Sequence, residues 1–403
     1  MISEESDCMN VKYLIVGAGP AGLAFAATLL KHGETSFVVL EKESEAGGLC
    51  RSVPCGGAPL DIGGGHILDV RKKHVLDFLF DYMPLDEWNY YQRNTNIVVG
   101  SHVVNYPFEA NIWQLPLDEQ VEYLESIAKA SLDQAQEKPD TFVDWIYWKL
   151  GGRIAENYMI PYNQKMWSID LNQLGTYWLE KLPSVSFRET LISCLTHKPY
   201  GELPAHAEFY YPKRYGYGEV FTRIAKTLDG YIRYDTAVTH IDEHNMVNGA
   251  FKAEHVIMAA PWHEIASSLP VQAQALVDKL QYTSVDIDYY PEASTSDAHW
   301  TYYADPTLSY HRTINRDNII AGSKGHWTET NAKRRAQVGE AHFENQYAYP
   351  VNTLGKPEAI RELLDAMKKR NIHGLGRWGE WEHMNSDVAV ERGMALATQM
   401  MEG

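Results

Sequence analysis

The 403-residue chain contains no run of eighteen apolar residues, so nothing in it reads as a membrane-spanning helix. Its opening segment, MISEESDCMN, lacks the basic start and apolar centre of a secretory leader, and a cytoplasmic protein without membrane insertion is expected. Cysteine is scarce. Cys8, Cys50, Cys55 and Cys194 show neither CxxC spacing nor the density of a disulfide scaffold, which predicts reduced structural thiols. Positive charge is in deficit, with a formal net charge of -17. That balance argues against a nucleic-acid or anionic-membrane partner, and any anion site has to be built locally. Internal repeats, low-complexity tracts and metal-ligating clusters are also missing. A chain of this length and apolar content is expected to form two or three globular domains.

The most informative stretch is Tyr13–Glu41, YLIVGAGPAGLAFAATLLKHGETSFVVLE. Gly17, Gly19 and Gly22 form GxGxxG directly after the apolar run Tyr13–Val16, and Ala24–Lys31 reads as the following helix. In such a unit the first glycine permits a tight turn, the second lets the backbone approach a pyrophosphate, and the third lets helix and strand pack closely. The helix N-terminus offers unpaired N–H groups and positive potential. Glu41 ends the second strand, where an acid accepts hydrogen bonds from ribose hydroxyls. Strand, glycines, helix, strand and terminal acid occur in order, which is what separates this match from an isolated GxGxxG.

Further glycines follow. Gly47, Gly48 and Arg51 come shortly after the acid, and Gly63, Gly64 and Gly65 precede His66. A nicotinamide unit needs only the first turn, whereas a long flavin dinucleotide needs more small residues beneath its ribityl chain and ring, so FAD is favoured over NAD. Gly56 and Gly57 read as a surface turn.

Leu117 to about Thr196 is mainly helical in pattern, Glu208–Ala260 returns to α/β character, and AEHVIMAAP is a buried strand that rejoins the first sheet. Ser284–Trp327 alternates aromatic and polar residues between turn signals, as an antiparallel sheet does. Glu358–Lys369 and Ser386–Met400 read as helices. The fold class expected is α/β: a Rossmann-like FAD-binding domain (10–90, 205–268 and 372–403), an inserted helical domain (112–204), and an antiparallel β-sheet domain (91–111 and 269–371).

With these landmarks in order, the chain resembles the flavin-dependent UDP-galactopyranose mutase family, nearer to its eukaryotic-type branch. The residues that carry the resemblance are GAGPAGL with Glu41, GGH at Gly64–His66, YPF at Tyr106–Phe108, PYNQKMW at Pro161–Trp167 and YPKRYGYGEVF at Tyr211–Phe221. The arginine of YHRT (Arg312), YAYPV at Tyr347–Val351 and GRWGEW at Gly376–Trp381 complete the series. The resemblance implies an isomerase that uses reduced FAD without net redox change, with NADPH or NADH as a reductant. In that family the flavin N5 attacks the anomeric carbon of a nucleotide-diphosphate sugar, the diphosphate leaves, and ring opening and reclosure exchange pyranose for furanose.

The resemblance assigns roles residue by residue. Arg312 and Arg377 clamp the diphosphate and sugar, a task suited to guanidinium forks that stay charged when desolvated. His66 lies by the flavin ring, and Gly17, Gly19, Gly22, Glu41, Gly48, Arg51, Gly64 and Gly65 hold the cofactor. Tyr158, Asn163 and Trp167 cradle the nucleobase, Lys181 falls near a substrate arginine of the family, and Tyr347 or Tyr349 offers a phenol to the diphosphate. The chain departs from the family at His383, where a diphosphate-binding tyrosine is usual, and at Asp69, near the place of a second histidine in the short bacterial pattern. These departures leave the sugar open. Two other readings stand beside the mutase: an FAD-dependent oxidoreductase of the amine-oxidase or desaturase type, and a catalytically silent flavin or nucleotide-sugar binding protein. A homo-oligomer is compatible with all three.

Overall fold

The computed structural model describes residues 8–133, 137–179, 186–201, 206–336 and 338–402. Its first sheet starts with the strand Met9–Val16, which pairs in parallel with Phe37–Leu40 on one side and Phe251–Met258 on the other. Ile232–Arg233 extends it beyond Phe37–Leu40, while Ile372–Gly374 and Met246–Val247 share the far edge of Phe251–Met258. All four residues of Phe37–Leu40 are buried, as befits a strand of a parallel sheet covered on both faces.

The helix Pro20–Lys31 follows the first strand. Pro20 sits in its first turn, where a missing N–H costs nothing, and its interior is mostly alanine and leucine. The residues from Ala21 to Leu29 are buried in succession, so this helix lies in the interior. It packs against the C-terminal helix Ser386–Glu402, which covers it on the outside.

A second sheet of seven strands has the order Ala341–Pro350, Tyr282–Tyr290, His326–Asn331, Arg312–Asn315, Trp300–Tyr303, Thr95–Val99 and His102–Asn105. Its pairings are antiparallel except for Trp300–Tyr303 with Thr95–Val99. Ile287, Trp300, Ile314 and Trp327 from this sheet join Phe25, Leu60 and Tyr217 in one buried cluster, so the two sheets share a core.

Helices between Phe108 and Thr196 form the third layer. Phe142–Ile154 is capped by Thr141, whose hydroxyl accepts the Asp144 N–H, and Phe187–Thr196 by a capping box of Ser186 and Glu189. One wide turn, Ala155–Met159, joins the former to Ile160–Trp167. Phe108, Phe142, Ile146 and Trp167 make this layer's own core. No helix among the described residues is long and apolar enough to cross a membrane. The chain is thus α/β, with a parallel nucleotide-binding sheet, a helical layer and a largely antiparallel sheet.

Candidate active site

Two clefts meet in the middle of the molecule. The first, about 390 Å³, runs along the end of the parallel sheet and is lined by Gly17, Gly19, Glu41, Gly48 and Arg51. Gly17 adopts φ +100°, the left-handed region that glycine favours. A Cβ at Gly22 would stand 2.1 Å from the Gly17 carbonyl oxygen, so any side chain there forces the helix off its turn. No atom lies within 4 Å of a Cβ built on Gly19, whose backbone faces open space. Gly19 also offers no side-chain cap to the helix, leaving its first-turn N–H groups directed at the cleft.

Glu41 is buried, and both its oxygens shape the cleft: one takes the Ala18 N–H at 2.6 Å, the other the Glu43 N–H at 3.0 Å. Arg51 donates from Nε to the Gly48 carbonyl at 3.1 Å and lies 3.4 Å from Glu43. This cradle of open glycine backbone, free helix N–H groups and a terminal acid fits a dinucleotide.

The second cleft, about 260 Å³, lies between the seven-stranded sheet, the helical layer and the glycine turn before His66. His66, Arg377, Asn385 and Ser386 line both clefts and mark where they join. His66 Nδ1 is 3.0 Å from the Gly64 carbonyl oxygen, which only accepts, so Nδ1 carries the proton and Nε2 is left with its lone pair. Burial, with Arg377 and Arg312 nearby, pushes the His66 pKa down to about 3. A neutral imidazole of fixed tautomer therefore stands at the junction.

Arg312 begins the strand Arg312–Asn315 and is held from beneath by the buried carboxylate of Glu329, which accepts its Nε–H at 2.9 Å and its Nη2–H as well. Burial opposes the Arg312 charge, but Glu329 together with Tyr349, Tyr302 and Tyr162 outweighs it, and the pKa lies well above its ordinary value. Arg377, on the short turn Gly376–Gly379, is held otherwise. Its Nε and Nη2 donate to the Met384 carbonyl at 3.1 and 2.7 Å, and its Nη1 to the Ala348 carbonyl at 3.0 Å. Burial lowers its pKa, yet a guanidinium stays protonated, and its hydrogen bonds here go to neutral carbonyls.

Tyr349 and His383 form the adjoining wall, stacked with centroids 5.0 Å apart, and the Arg377 guanidinium lies 5.4 Å from the Tyr349 ring. Tyr347 lies elsewhere. It lines the dinucleotide cleft, packed on Tyr282 at 4.5 Å, so of the two tyrosines in YAYPV only Tyr349 lines the chamber that holds both Arg312 and Arg377.

Several sequence-based expectations need adjustment. Tyr158, Asn163 and Trp167 do not line either cleft. Trp167 donates its indole N–H to Asn163 at 3.1 Å, Asn163 donates to the Met159 carbonyl at 2.7 Å, and Tyr158 packs on Phe108 at 5.5 Å. They brace the helix whose neighbouring face presents Tyr162 and Met166 to the cleft. Of the glycines before His66, which the sequence assigns to the flavin, Gly63 and Gly65 line the second cleft, and on their Cβ side all three are packed against protein atoms. A Cβ would meet Leu49 O at 1.9 Å from Gly63, Glu329 Oε1 at 2.7 Å from Gly64, and Ile314 Cγ1 at 3.1 Å from Gly65. Lys181 lies outside the described residues.

Residues missed by sequence reasoning include Glu329, Tyr162, Tyr302, His206 and Arg93. Arg93 lines the cleft and lies 4.0 Å from the Tyr106 ring centroid. His206 lines it too, with Nδ1 2.7 Å from buried Asp69, so Asp69 serves a histidine distant in sequence. For Glu329 a signal existed: one acid at the centre of HWTETN, a strand otherwise suited to burial.

Comparison with known proteins settles the lineage. Residues 20–287 match the family described as flavin containing amine oxidoreductase. The chain belongs to that family. Its cofactor is FAD, in keeping with the fit of the dinucleotide cleft. Across 97% of this chain and 96% of the relative, it is 24% identical to a UDP-galactopyranose mutase of Mycoplasma pneumoniae. Among solved structures, a reduced UDP-galactopyranose mutase superposes with a TM-score of 0.87 at 21% identity, covering 97% of this chain and 94% of that one. Cyclohexylamine oxidase from Brevibacterium oxydans superposes at 0.68 with 14% identity, covering 97% and 99%. These structural likenesses establish the fold.

Proposed function

We propose that the protein is a reduced-flavin-dependent mutase that interconverts pyranose and furanose forms of a nucleotide-diphosphate sugar. The observation that carries this reading is the junction: His66 and Arg377 belong to both clefts, so the cofactor's cradle opens directly onto a chamber that also holds Arg312. When bound and reduced, FAD supplies a nucleophile toward the anomeric carbon. The chain's own residues bind the departing diphosphate and hold the sugar. Arg312 and Arg377 present fixed positive charge where negative charge develops on the leaving phosphate, which is worth far more in a desolvated cleft than in water. Tyr349 and His383 add donors to the same oxygens. His66, kept neutral, offers Nε2 as an acceptor at the cofactor edge without adding a third charge. The nucleobase end lies toward Tyr162 and Met166, with Tyr158, Asn163 and Trp167 as their support.

Cleft charge argues against the amine-oxidase alternative. Arg93, Arg312 and Arg377 face it, and Glu329 is sealed beneath Arg312. A protonated amine would enter a positive field, whereas a diphosphate is drawn in. The free thiols Cys8, Cys50, Cys55 and Cys194 suit a reducing compartment, and cytoplasmic work with NADPH or NADH as reductant is part of the proposal. The test is to incubate dithionite-reduced protein with UDP-, GDP- and dTDP-sugars and separate ring isomers. A furanose product from one of them is expected; oxygen consumption on an amine with no isomer from any sugar overturns the reading.

A further inference from the structure

Arg312 and Arg377 share a chamber but are held differently, and the difference lies in Glu329. This residue is only 1% exposed, at the centre of the strand His326–Asn331. Its carboxylate is divided between two parts of the site. Oε2 holds Arg312, while Oε1 accepts the Gly65 N–H at 2.8 Å across a separation of 264 residues. Gly64 leaves room for it, because a Cβ there would stand 2.7 Å from Oε1. On the other side of the same turn, the Gly64 carbonyl orients His66 at 3.0 Å. His311 Nε2 is 3.7 Å from Oε2, and burial with Arg312 beside it keeps that imidazole neutral, so Arg312 is the cation that matches Glu329.

As a source of stability alone the arrangement gains little, since a buried ion pair roughly breaks even against apolar residues of equal volume. It does fix geometry. Glu329 grips Arg312 by its Nε–Nη2 edge and leaves Nη1 with no partner among the described residues. An anion drawing that free edge into the chamber can move the guanidinium only by pulling on the carboxylate, and the carboxylate on Gly65.

We infer that Glu329 is a positioning residue that locks Arg312 to the Gly64–His66 turn, so that anion binding at the arginine is transmitted to the histidine at the cofactor junction. In catalytic terms this rests on the mutase reading: departure and return of the diphosphate at Arg312 would set His66 in step with the sugar's bond changes. The coupling itself needs only an anion at Arg312.

The experiment uses the FAD-loaded protein, with inorganic pyrophosphate and the nucleoside diphosphates UDP, GDP and dTDP as probes. Binding is followed by calorimetry and backbone exchange of residues 63–67 by mass spectrometry. Saturating pyrophosphate is expected to slow exchange of this turn by about threefold or more in the unaltered protein, as for a locally stabilised segment. In Glu329→Gln, with FAD content unchanged, that slowing disappears. Its kcat falls by about 30-fold while KM moves less than about threefold, the pattern of a misplaced rather than missing contact. Glu329→Asp keeps the charge but is too short to span both partners, and it loses the slowing as well; it serves if the glutamine variant fails to fold.

Pyrophosphate binding without slower exchange, or equal slowing in either variant, overturns the coupling. If UDP, GDP and dTDP all fail to bind while pyrophosphate behaves as expected, the coupling stands and the mutase reading falls. A protein that binds none of the four sinks both.

Discussion

The dinucleotide cleft and the arginine cleft touch at His66 and Arg377, yet they are built by opposite means. The first is a product of backbone. Gly17, Gly19, Gly22 and Gly48 come from one short stretch of chain and contribute the absence of side chains, a left-handed turn and open N–H groups, with Glu41 the one side chain that shapes the cleft there. The second is a product of side chains from distant segments: His66, Tyr162, Arg312, Tyr349 and Arg377 are carried by a loop, a helix, two strands and a short turn. A backbone cradle depends on single atoms being missing. A side-chain chamber depends on many contacts, each replaceable at a graded cost.

The largest effect is therefore expected in the cradle. Gly22→Val would drive a side chain into the Gly17 carbonyl, 2.1 Å from the new Cβ, and the overpacking, about 3 kcal/mol or more, should leave the protein colourless after purification. Full FAD content in this variant would erase the contrast. In the chamber, Arg312→Ala should leave the protein yellow while lowering isomerisation about 100-fold, the scale of one lost transition-state charge contact. It also leaves Glu329 without its cation, and a stability loss of about 3 kcal/mol should appear in denaturant titration.

Asp61, in the wall of the arginine cleft, supplies a pH test. It is buried, accepts the Ser52 and Tyr211 hydroxyls and the Tyr217 N–H, and burial lifts its pKa from 3.8 to about 6. The folded chain thus holds this proton more tightly than the unfolded one. Its stabilising contribution is complete below pH 3.8 and is lost as pH rises through about 6. The swing amounts to about 3 kcal/mol at 1.36 kcal/mol per pKa unit. Asp61→Asn should flatten the stability profile over that window; an unaltered slope would contradict the assignment. The smallest effect is expected at His383, where replacement by alanine removes one donor to the anion and should weaken UDP binding about tenfold, with no change in FAD content.

The same contrast explains what the sequence reveals. The parallel sheet, the helical layer and the antiparallel sheet were legible because apolar periodicity and glycine turns are local signals. AEHVIMAAP, a strand expected to rejoin the first sheet, is Phe251–Met258 beside Met9–Val16. The cradle was legible for the same reason. In the chamber, Arg312, Arg377 and His66 could be named from their flanking motifs, but their partners could not. Glu329 meets Gly65 across 264 residues, and no local pattern encodes that pairing. The glycines Gly63–Gly65 carry a second constraint that no local pattern reveals: Leu49, Glu329 and Ile314 press on their Cβ side. Asn163 and Trp167 belong to a motif whose helix turns a different face, that of Tyr162 and Met166, to the cleft.

The most direct test of the central claim is to follow flavin absorbance and sugar ring form together in an anaerobic reaction of the reduced protein with UDP-galactopyranose or its furanose isomer. Many turnovers of isomer with the flavin still fully reduced at the end is the expected result. One equivalent of flavin oxidised for each substrate consumed, with no ring isomer formed, would contradict it.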